Sequence, residues 1–291
     1  MIRVRRAGLL TTVQDLGRPG YAHLGVPHAG AVDVPSLRLA NRLVGNDERA
    51  AALEVTLAGP DLVFDSPTYV ALTGGAVRAT VDGLAVPMYV AQCIPQGGAL
   101  GIGSVTVGVR AYLGVRGGID VPPVLGSRST DTLSGLGPPK LAAGQLLPVG
   151  SMFVGEPWEE VVPAPAAGVE VVLRVTLGPR DDRFEPAAVD ALCHSTWTVT
   201  SRSDRTGVRL EGPPLRWREQ RELRSEGMVT GAVQVPSDGQ PIVFLANSPT
   251  TGGYPVIAVV ATEDLPLAAQ ARPGTALRFR LISAAAGGLR S

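Results

Sequence analysis

The heptapeptide Gly30-Ala-Val-Asp-Val-Pro-Ser36 returns as Gly231-Ala-Val-Gln-Val-Pro-Ser237, matching at six of seven positions. Weaker echoes flank both copies in the same order. Gln14-Asp15-Leu-Gly-Arg18 has a loose partner in Ser203-Asp204-Arg205-Thr-Gly207, and Leu39-Ala40-Asn41 has one in Leu245-Ala246-Asn247. A Thr-Gly-Gly follows each copy, at Thr73 and at Thr251. In a chain rich in Gly, Ala and Val one match carries little, but a series in one order reads as a duplicated domain. Two copies are too few for a solenoid, and 291 residues suit about two domains. Pro157, Pro163 and Pro165 stand among small residues between Glu156 and Gly168, which reads as a linker. The expected domains are residues 1–155 and 169–283, with Ala284–Ser291 as a frayed tail.

Each half must be mainly β. Aromatics make up only 4% of the chain, so the core has to come from Val, Leu, Ile and Ala. Short apolar runs bounded by Gly, Pro or Asp have strand length at 51–57, 61–64, 69–72, 77–81, 105–109, 111–115, 169–177, 196–201, 242–246 and 277–282. Three segments read as short helices. One is capped by Asp33 or Ser36 and stops at Gly45-Asn46; the others cover about 182–193 and 263–271. Helices do not alternate with strands, which excludes a doubly wound sheet and favours closed or near-closed barrels with a few short helices.

Charge and motifs exclude several functions. Acidic and basic residues balance at 26 each, so there is no electrostatic footprint for nucleic acid. Lys140 is the sole lysine, which leaves anion contacts to arginine or backbone N–H groups. Cys93 and Cys193 make no disulfide framework and fit a cytoplasmic chain. No signal-peptide core or membrane-spanning apolar run occurs. The sequence contains neither a P-loop nor a G-x-S-x-G elbow, and His23, His28 and His194 lack metal-ligand spacing. The expectation is no metal site.

What remains is polar side chains set in Gly-rich turns. These are Gln14, Asp15 and Arg18; Asp204, Arg205 and Arg209; Gln234, Asp238 and Gln240; and Thr251 with Tyr254. Free backbone N–H groups in such turns meet oxyanions and carboxylates. Arg205 and Arg209 have the paired donors for a carboxylate or phosphate. Gln234, Gln240 and Thr251 have the donors and acceptors for an amide or ureido group. The same residues also have plain structural alternatives: Asp-Gly and Gly-Gly as hairpin turns, Asp15–Arg18 and Asp204–Arg205 as structural ion pairs, and Asp33 as a helix cap.

In order along the chain, these motifs resemble the allophanate hydrolase subunit 2 family. The resemblance rests on Thr11-Thr-Val-Gln-Asp-Leu-Gly-Arg18, Leu39-Ala-Asn-Arg-Leu-Val-Gly-Asn46, Tyr112-Leu-Gly-Val-Arg-Gly-Gly118 and Leu125-Gly-Ser-Arg-Ser-Thr-Asp131. It extends through Ser203-Asp-Arg-Thr-Gly-Val-Arg-Leu210, Gln234-Val-Pro-Ser-Asp-Gly-Gln-Pro241 and Thr251-Gly-Gly-Tyr-Pro255. It covers about residues 3–282 and implies two tandem cyclophilin-like β-barrels. It also implies a subunit 1-type partner, like the B component of 5-oxoprolinase, and in that enzyme a third, larger partner, its A component. The family includes the C component of an ATP-dependent 5-oxoprolinase, an antagonist of a kinase inhibitor, and half of a biotin-dependent carboxyltransferase.

The expected function is therefore the C component of a heteromeric 5-oxoprolinase, opening 5-oxo-L-proline to L-glutamate with ATP acting at the level of the complex. Asp204 and Asp238 are the expected base or orienting groups. Gln14, Asp15, Arg18, Arg205, Arg209, Gln234, Gln240, Thr251 and Tyr254 are the expected substrate contacts. We expect a free-standing subunit, with no subunit 1 segment before residue 1 and no biotin carrier after residue 291. Lys140 follows a proline rather than the methionine of a biotin-attachment site. The alternatives are a carboxyltransferase half using carboxybiotin on a urea-like substrate, and a non-catalytic antagonist that binds a kinase-inhibitor partner.

Overall fold

The computed structural model describes residues 1–164, 170–219, 221 and 223–282. Residues 165–168 of the expected linker and the whole of the expected tail 284–291 lie outside the described residues. Two compact units are present, Met1–His23 with Pro27–Ala167, and Leu24–Val26 with Gly168–Ser291.

The first unit is one nine-stranded sheet. Its strands are β1 (Ile2–Arg6), β2 (Leu10–Gln14), β3 (Ala52–Thr56), β4 (Asp61–Phe64), β5 (Thr68–Val81), β6 (Leu84–Val86), β7 (Gln92–Ile94), β8 (Ala99–Val115) and β9 (Leu146–Leu147). The spine is β8, whose seventeen residues absorb two of the expected strands. It pairs with β4 at its start, with β3 at its end and with β5 along its length. Register shifts at Gly74/Ala76, Ala76/Val77 and Val77/Ala79 bend β5, as bulges do, so the sheet curls. The path β2-β3-β8-β4-β1-β9 is open, with β2 and β9 at its ends. Val, Leu and Ile fill the curl: Val13, Leu53, Val55, Leu62, Ile94, Leu113 and Val115 are all fully buried. Each such side chain contributes about 1.5–3 kcal/mol relative to exposure, which is how a core poor in aromatics holds.

The helix α1 (Val34–Leu43) lies on this sheet with Leu37, Ala40 and Leu43 buried. Asp33 is its N-cap. The carboxylate accepts the Ser36 N–H at 3.1 Å and the Ser36 hydroxyl at 2.8 Å, and Pro35 sits in the first turn.

The second unit is a closed barrel in the order β10-β17-β14-β15-β12-β11-β18. The strands are β10 (Val171–Leu177), β11 (Trp197–Val199), β12 (Gly207–Glu211), β14 (Ala232–Gln234), β15 (Ile242–Phe244), β17 (Val256–Val260) and β18 (Ala276–Leu281). A ring of seven strands cannot alternate direction throughout, so one neighbouring pair must run parallel, and that pair is β10 and β18. Two minor strands, β13 (Glu226–Gly227) and β16 (Thr251–Gly252), pair only with each other. Two short helices complete the unit: α2 (Pro186–His194) begins at the proline rather than at Asp182, and α3 (Leu265–Gln270) follows a 3-10 turn at Thr262–Asp264. No described helix is long and apolar enough to cross a membrane.

The repeated heptapeptide adopts two local structures. Gly30 and Gly231 share a left-handed backbone, with φ of 89° and 88°. Beyond them Ala232–Gln234 is a barrel strand, whereas Ala31–Asp33 is irregular and leads into α1. The one mismatched position distinguishes them. Asp33 is short enough to turn back onto Ser36 N, while Gln234, also buried, donates to the Tyr254 carbonyl at 3.1 Å. Likewise Leu39-Ala40-Asn41 is helical, and Leu245-Ala246-Asn247 follows a strand. The matched segments are therefore not equivalent elements of their units.

Candidate functional site

In the first unit the site is built where β2 ends. Asp15 to Arg18 form a turn, and a Cβ at Gly17 (φ +84°) would stand 2.5 Å from the His28 carbonyl oxygen, so only glycine fits. The turn is laced to the 28–31 segment by Arg18 N to His28 O at 2.8 Å and Ala31 N to Asp15 O at 2.9 Å. The Asp15 carboxylate then organises a loop more than a hundred residues away. It accepts the Ser127 hydroxyl at 2.6 Å, the Ser129 hydroxyl at 2.5 Å, the Arg128 N–H at 2.6 Å and its own neighbour Gly17 N at 2.8 Å. Thr130 N donates to Val13 O at 2.9 Å, which seats the loop beside β2.

Arg18 lies beneath that loop and is 1% exposed. Its Nη2 donates to the Ser129 carbonyl, and its Nε makes a long 3.4 Å contact with the Val124 carbonyl. Burial lowers the guanidinium's pKa, and the nearby Asp131 and Asp15 carboxylates oppose that shift. Gln14, fully buried, spends its Nε2 on the Thr12 hydroxyl (2.9 Å) and the Thr130 carbonyl (3.0 Å). Arg18 and Gln14 thus flank the Ser129–Thr130 segment. Three buried atoms around it, Arg18 Nη1, Gln14 Oε1 and Thr130 Oγ1, have no hydrogen-bond partner among the described residues. Native interiors satisfy nearly all such groups. One unmet donor, one unmet acceptor and one hydroxyl suit a small neutral group with both functions, such as an amide. Two carboxylates against one guanidinium argue against a further anion there.

A second buried network fixes α1 on the sheet. The Tyr112 hydroxyl donates to Glu54 Oε2 at 2.7 Å and accepts the Asp33 N–H at 2.8 Å, and Glu54 Oε2 also accepts Val32 N at 3.0 Å. Arg110 stands 3.7 Å from Glu54 Oε1. Burial, with Glu54 and Asp33 beside it, raises the Tyr112 phenol well above its ordinary range. On the exposed face of α1 a cavity of about 590 Å³ is lined by Arg38, Arg42 and Arg49, but Arg38 and Arg42 both pair with Glu48, at 3.6 and 3.0 Å.

The remaining expected residues belong to the second unit. Asp204 holds its own turn, accepting Thr206 N at 2.7 Å and Gly207 N at 3.2 Å, and it is exposed. Arg205 is 2% exposed and donates to Asn247 Oδ1 at 3.0 Å, while Asn247 N returns a bond to the Arg205 carbonyl at 3.1 Å. Arg209 faces solvent on β12. Arg205 is thus buried and Arg209 exposed. Asp238, also exposed, accepts Gln240 N at 3.0 Å. Gln240 clamps the Gly212 peptide from both sides, accepting its N–H at 2.9 Å and donating to its carbonyl at 3.1 Å. Gln234 donates to the Tyr254 carbonyl at 3.1 Å, and Thr251 begins β16 and is exposed. Sequence reasoning does not single out Ser127, Ser129, Glu54, Tyr112 or Asn247 as site residues. The Ser-Arg-Ser-Thr-Asp run at 127–131 is the signal that could have found the two serines.

The sequence matches the family described as carboxyltransferase domain, subdomain A and B, over residues 24–281. It is 41% identical over 285 residues to the C component of the 5-oxoprolinase of Escherichia coli K12, covering 96% of this chain and 90% of that protein. It is 37% identical over 306 residues to the urea amidolyase of Saccharomyces cerevisiae, covering 96% of this chain but 16% of that much longer protein. The crystal structure of the K. lactis urea amidolyase superposes with a TM-score of 0.91 at 34% identity, over 97% of this chain and 19% of that one. These matches agree with the resemblance read from the motifs. The chain belongs to the family of carboxyltransferase domains with subdomains A and B.

Proposed function

We propose that this chain is the C component of a 5-oxoprolinase, working in the cytoplasm within a heteromeric, ATP-dependent complex that opens 5-oxo-L-proline to L-glutamate. The observation that carries the reading is the match to the E. coli C component, which runs over nine-tenths of that protein at 41% identity. The urea amidolyases resemble this chain only as a small part of their length. The chemistry of the first-unit site supports the same substrate class, because Arg18 Nη1 and Gln14 Oε1 offer the donor and acceptor that a neutral lactam amide requires. In this reading Arg18 polarises the lactam carbonyl, Gln14 accepts its N–H, and Asp15 keeps the covering loop in place. Asp204 and Asp238, exposed turn carboxylates, are the candidate bases on this chain. ATP is assigned to the complex as a whole. The two units are proposed as a tandem pair of cyclophilin-like domains.

A carboxyltransferase that uses carboxybiotin on a urea-like substrate is the second reading, favoured by the family description and by the K. lactis structure. Co-purification with the neighbouring gene products, followed by parallel assays, separates the two. Glutamate release from 5-oxoproline with ATP supports the first reading. ATP- and bicarbonate-dependent consumption of urea with no glutamate supports the second and rejects the first.

A further inference from the structure

Near the end of the first unit a segment is fastened by its backbone while its largest side chains face solvent. Val154 N and Gly155 N both donate to the Gly45 carbonyl, at 2.8 and 3.1 Å, and Trp158 N donates to the Leu43 carbonyl at 2.8 Å. The Trp158 carbonyl accepts Ala91 N at 2.9 Å, and Val162 N reaches the Tyr89 carbonyl at 2.9 Å. The stretch therefore lies across the C-terminal end of α1, where Val162 packs against the cluster of Leu43, Val44 and Ala71. Met152, Phe153, Val154, Trp158 and Val161 are left 51–82% exposed. Arg116 holds the ridge further, with its guanidinium 4.0 Å from the centre of the Phe153 ring and a bond to the Gly155 carbonyl at 2.9 Å. Scattered apolar residues on a surface mean little, but a fastened ridge of five marks a place where another surface docks.

Charge divides this face into two halves that meet at Val154. On one side is the cavity on α1, which Val154 helps to line. Arg38 and Arg42 stand one helical turn apart and share Glu48, while Arg49 has no ion-pair partner among the described residues. Asp47 turns back onto the Arg49 N–H at 2.8 Å. Three guanidiniums against two carboxylates leave the cavity with a cation in excess. On the other side are Glu156, Glu159 and Glu160, all exposed. Among the described residues only Glu156 has a cation beside it, Arg116 at 3.4 Å, so this half keeps two carboxylates in excess.

We propose that this face is the interface of a twofold dimer of the chain. The Met152–Val154 ridge and Trp158 of one copy pack on those of the other, and Glu159 and Glu160 of each copy meet the α1 arginines of its mate. A twofold interface uses the same patch on both subunits, so that patch must carry both halves of every complementary pair. This one does, with an acidic half and a basic half side by side and Val154 at their boundary. Its make-up also fits, since Met, aromatic residues and Arg are enriched where proteins meet. A second copy is thus an occupant whose own surface supplies the charges and apolar side chains that this face calls for. Dimerisation through it does not depend on the proposed activity.

Sedimentation velocity of the full-length chain at tens of micromolar tests the interface. The expected species has twice the 30.1 kDa mass of the chain. Glu159→Arg with Glu160→Arg sets like charges against the α1 cavity, and Arg42→Glu with Arg49→Glu sets like charges against the ridge. Each double variant is expected to weaken the dimer about tenfold or more. Mixing the two variants is expected to restore a dimer with one copy of each, because both contacts are then again between opposite charges. That recovery also shows that both variants are folded. A wild-type chain that is monomeric at these concentrations overturns the interface, and so does one that associates only with a different subunit. A dimer unchanged by both reversals, or variants that fail to pair when mixed, does the same.

Discussion

Asp15 and Ser129, 114 residues apart in sequence, are bonded twice in opposite senses: the Asp15 N–H donates to Ser129 Oγ at 2.9 Å, and that hydroxyl donates to Asp15 Oδ1 at 2.5 Å. The pair latches the 124–131 loop to the end of β2 and closes the cover over Arg18. Asp15 therefore organises this loop.

Asp15→Ala leaves two backbone N–H groups and two hydroxyls without their acceptor. The expected loss is about 3 kcal/mol, since bonds to a charged group and unmet buried donors each count for about 1–3 kcal/mol. Ser129→Ala should cost about 1 kcal/mol. Urea denaturation monitored by tryptophan fluorescence measures both, and a smaller loss for Asp15→Ala than for Ser129→Ala contradicts the organising role.

Tyr112→Phe removes one hydroxyl that serves two partners, the Glu54 carboxylate and the Asp33 N–H. Both are buried, so the expected destabilisation is about 1–3 kcal/mol. Hydrogen exchange should speed up most at the start of α1, where Asp33 is anchored. A uniform change across the unit contradicts a local anchor.

Asp33→Gln makes the first heptapeptide identical to the second. Glutamine cannot reach back to Ser36 N as aspartate does, so α1 should fray at its first turn at a cost of about 1 kcal/mol. The segment should stay irregular rather than become a strand, because α1 remains packed through Leu37 and Ala40. Amide chemical shifts at residues 31–37 decide between fraying and strand formation.

Acid sensitivity follows from Asp264. Arg174 donates to Asp264 Oδ2 from its backbone N–H at 2.7 Å and from Nε at 2.9 Å, and to Oδ1 from Nη2 at 2.8 Å. The guanidinium holds the carboxyl below its ordinary value. A carboxylate depressed in the folded state adds stability that is fully present above the unfolded pKa of about 4 and is lost as pH falls through the lower folded value. Melting temperature should therefore drop on acidification below about pH 4, and the drop should be shallower in Asp264→Asn. Parallel pH profiles for the two proteins contradict the assignment.

The sequence disclosed the β class, most strand positions and the cap of α1, because strand-length apolar runs and an Asp-x-Pro-Ser start are local signals. Merging Val105–Val109 with Ala111–Val115 into one long strand was hidden, since Arg110 interrupts the apolar pattern yet is itself buried beside Glu54. The heptapeptide repeat misled at the level of elements: one side chain, Asp33 against Gln234, sends like sequences into different structures. Gln14, Asp15 and Arg18 stand out as one cluster in the sequence, and the structure gathers them. Their partners Ser127, Ser129 and Thr130 do not, because nothing in local sequence announces a contact across more than a hundred residues. Gln240 has the chemistry for a ligand, but the fold spends both ends of its amide on Gly212.

The most direct measurement is a drop-out assay of the reconstituted complex, following glutamate released from 5-oxo-L-proline with and without ATP. The account predicts ATP-dependent glutamate when this chain is present, its loss when the chain is omitted, and its recovery when the chain is added back. Full ATP-dependent activity in a complex lacking this chain contradicts the account.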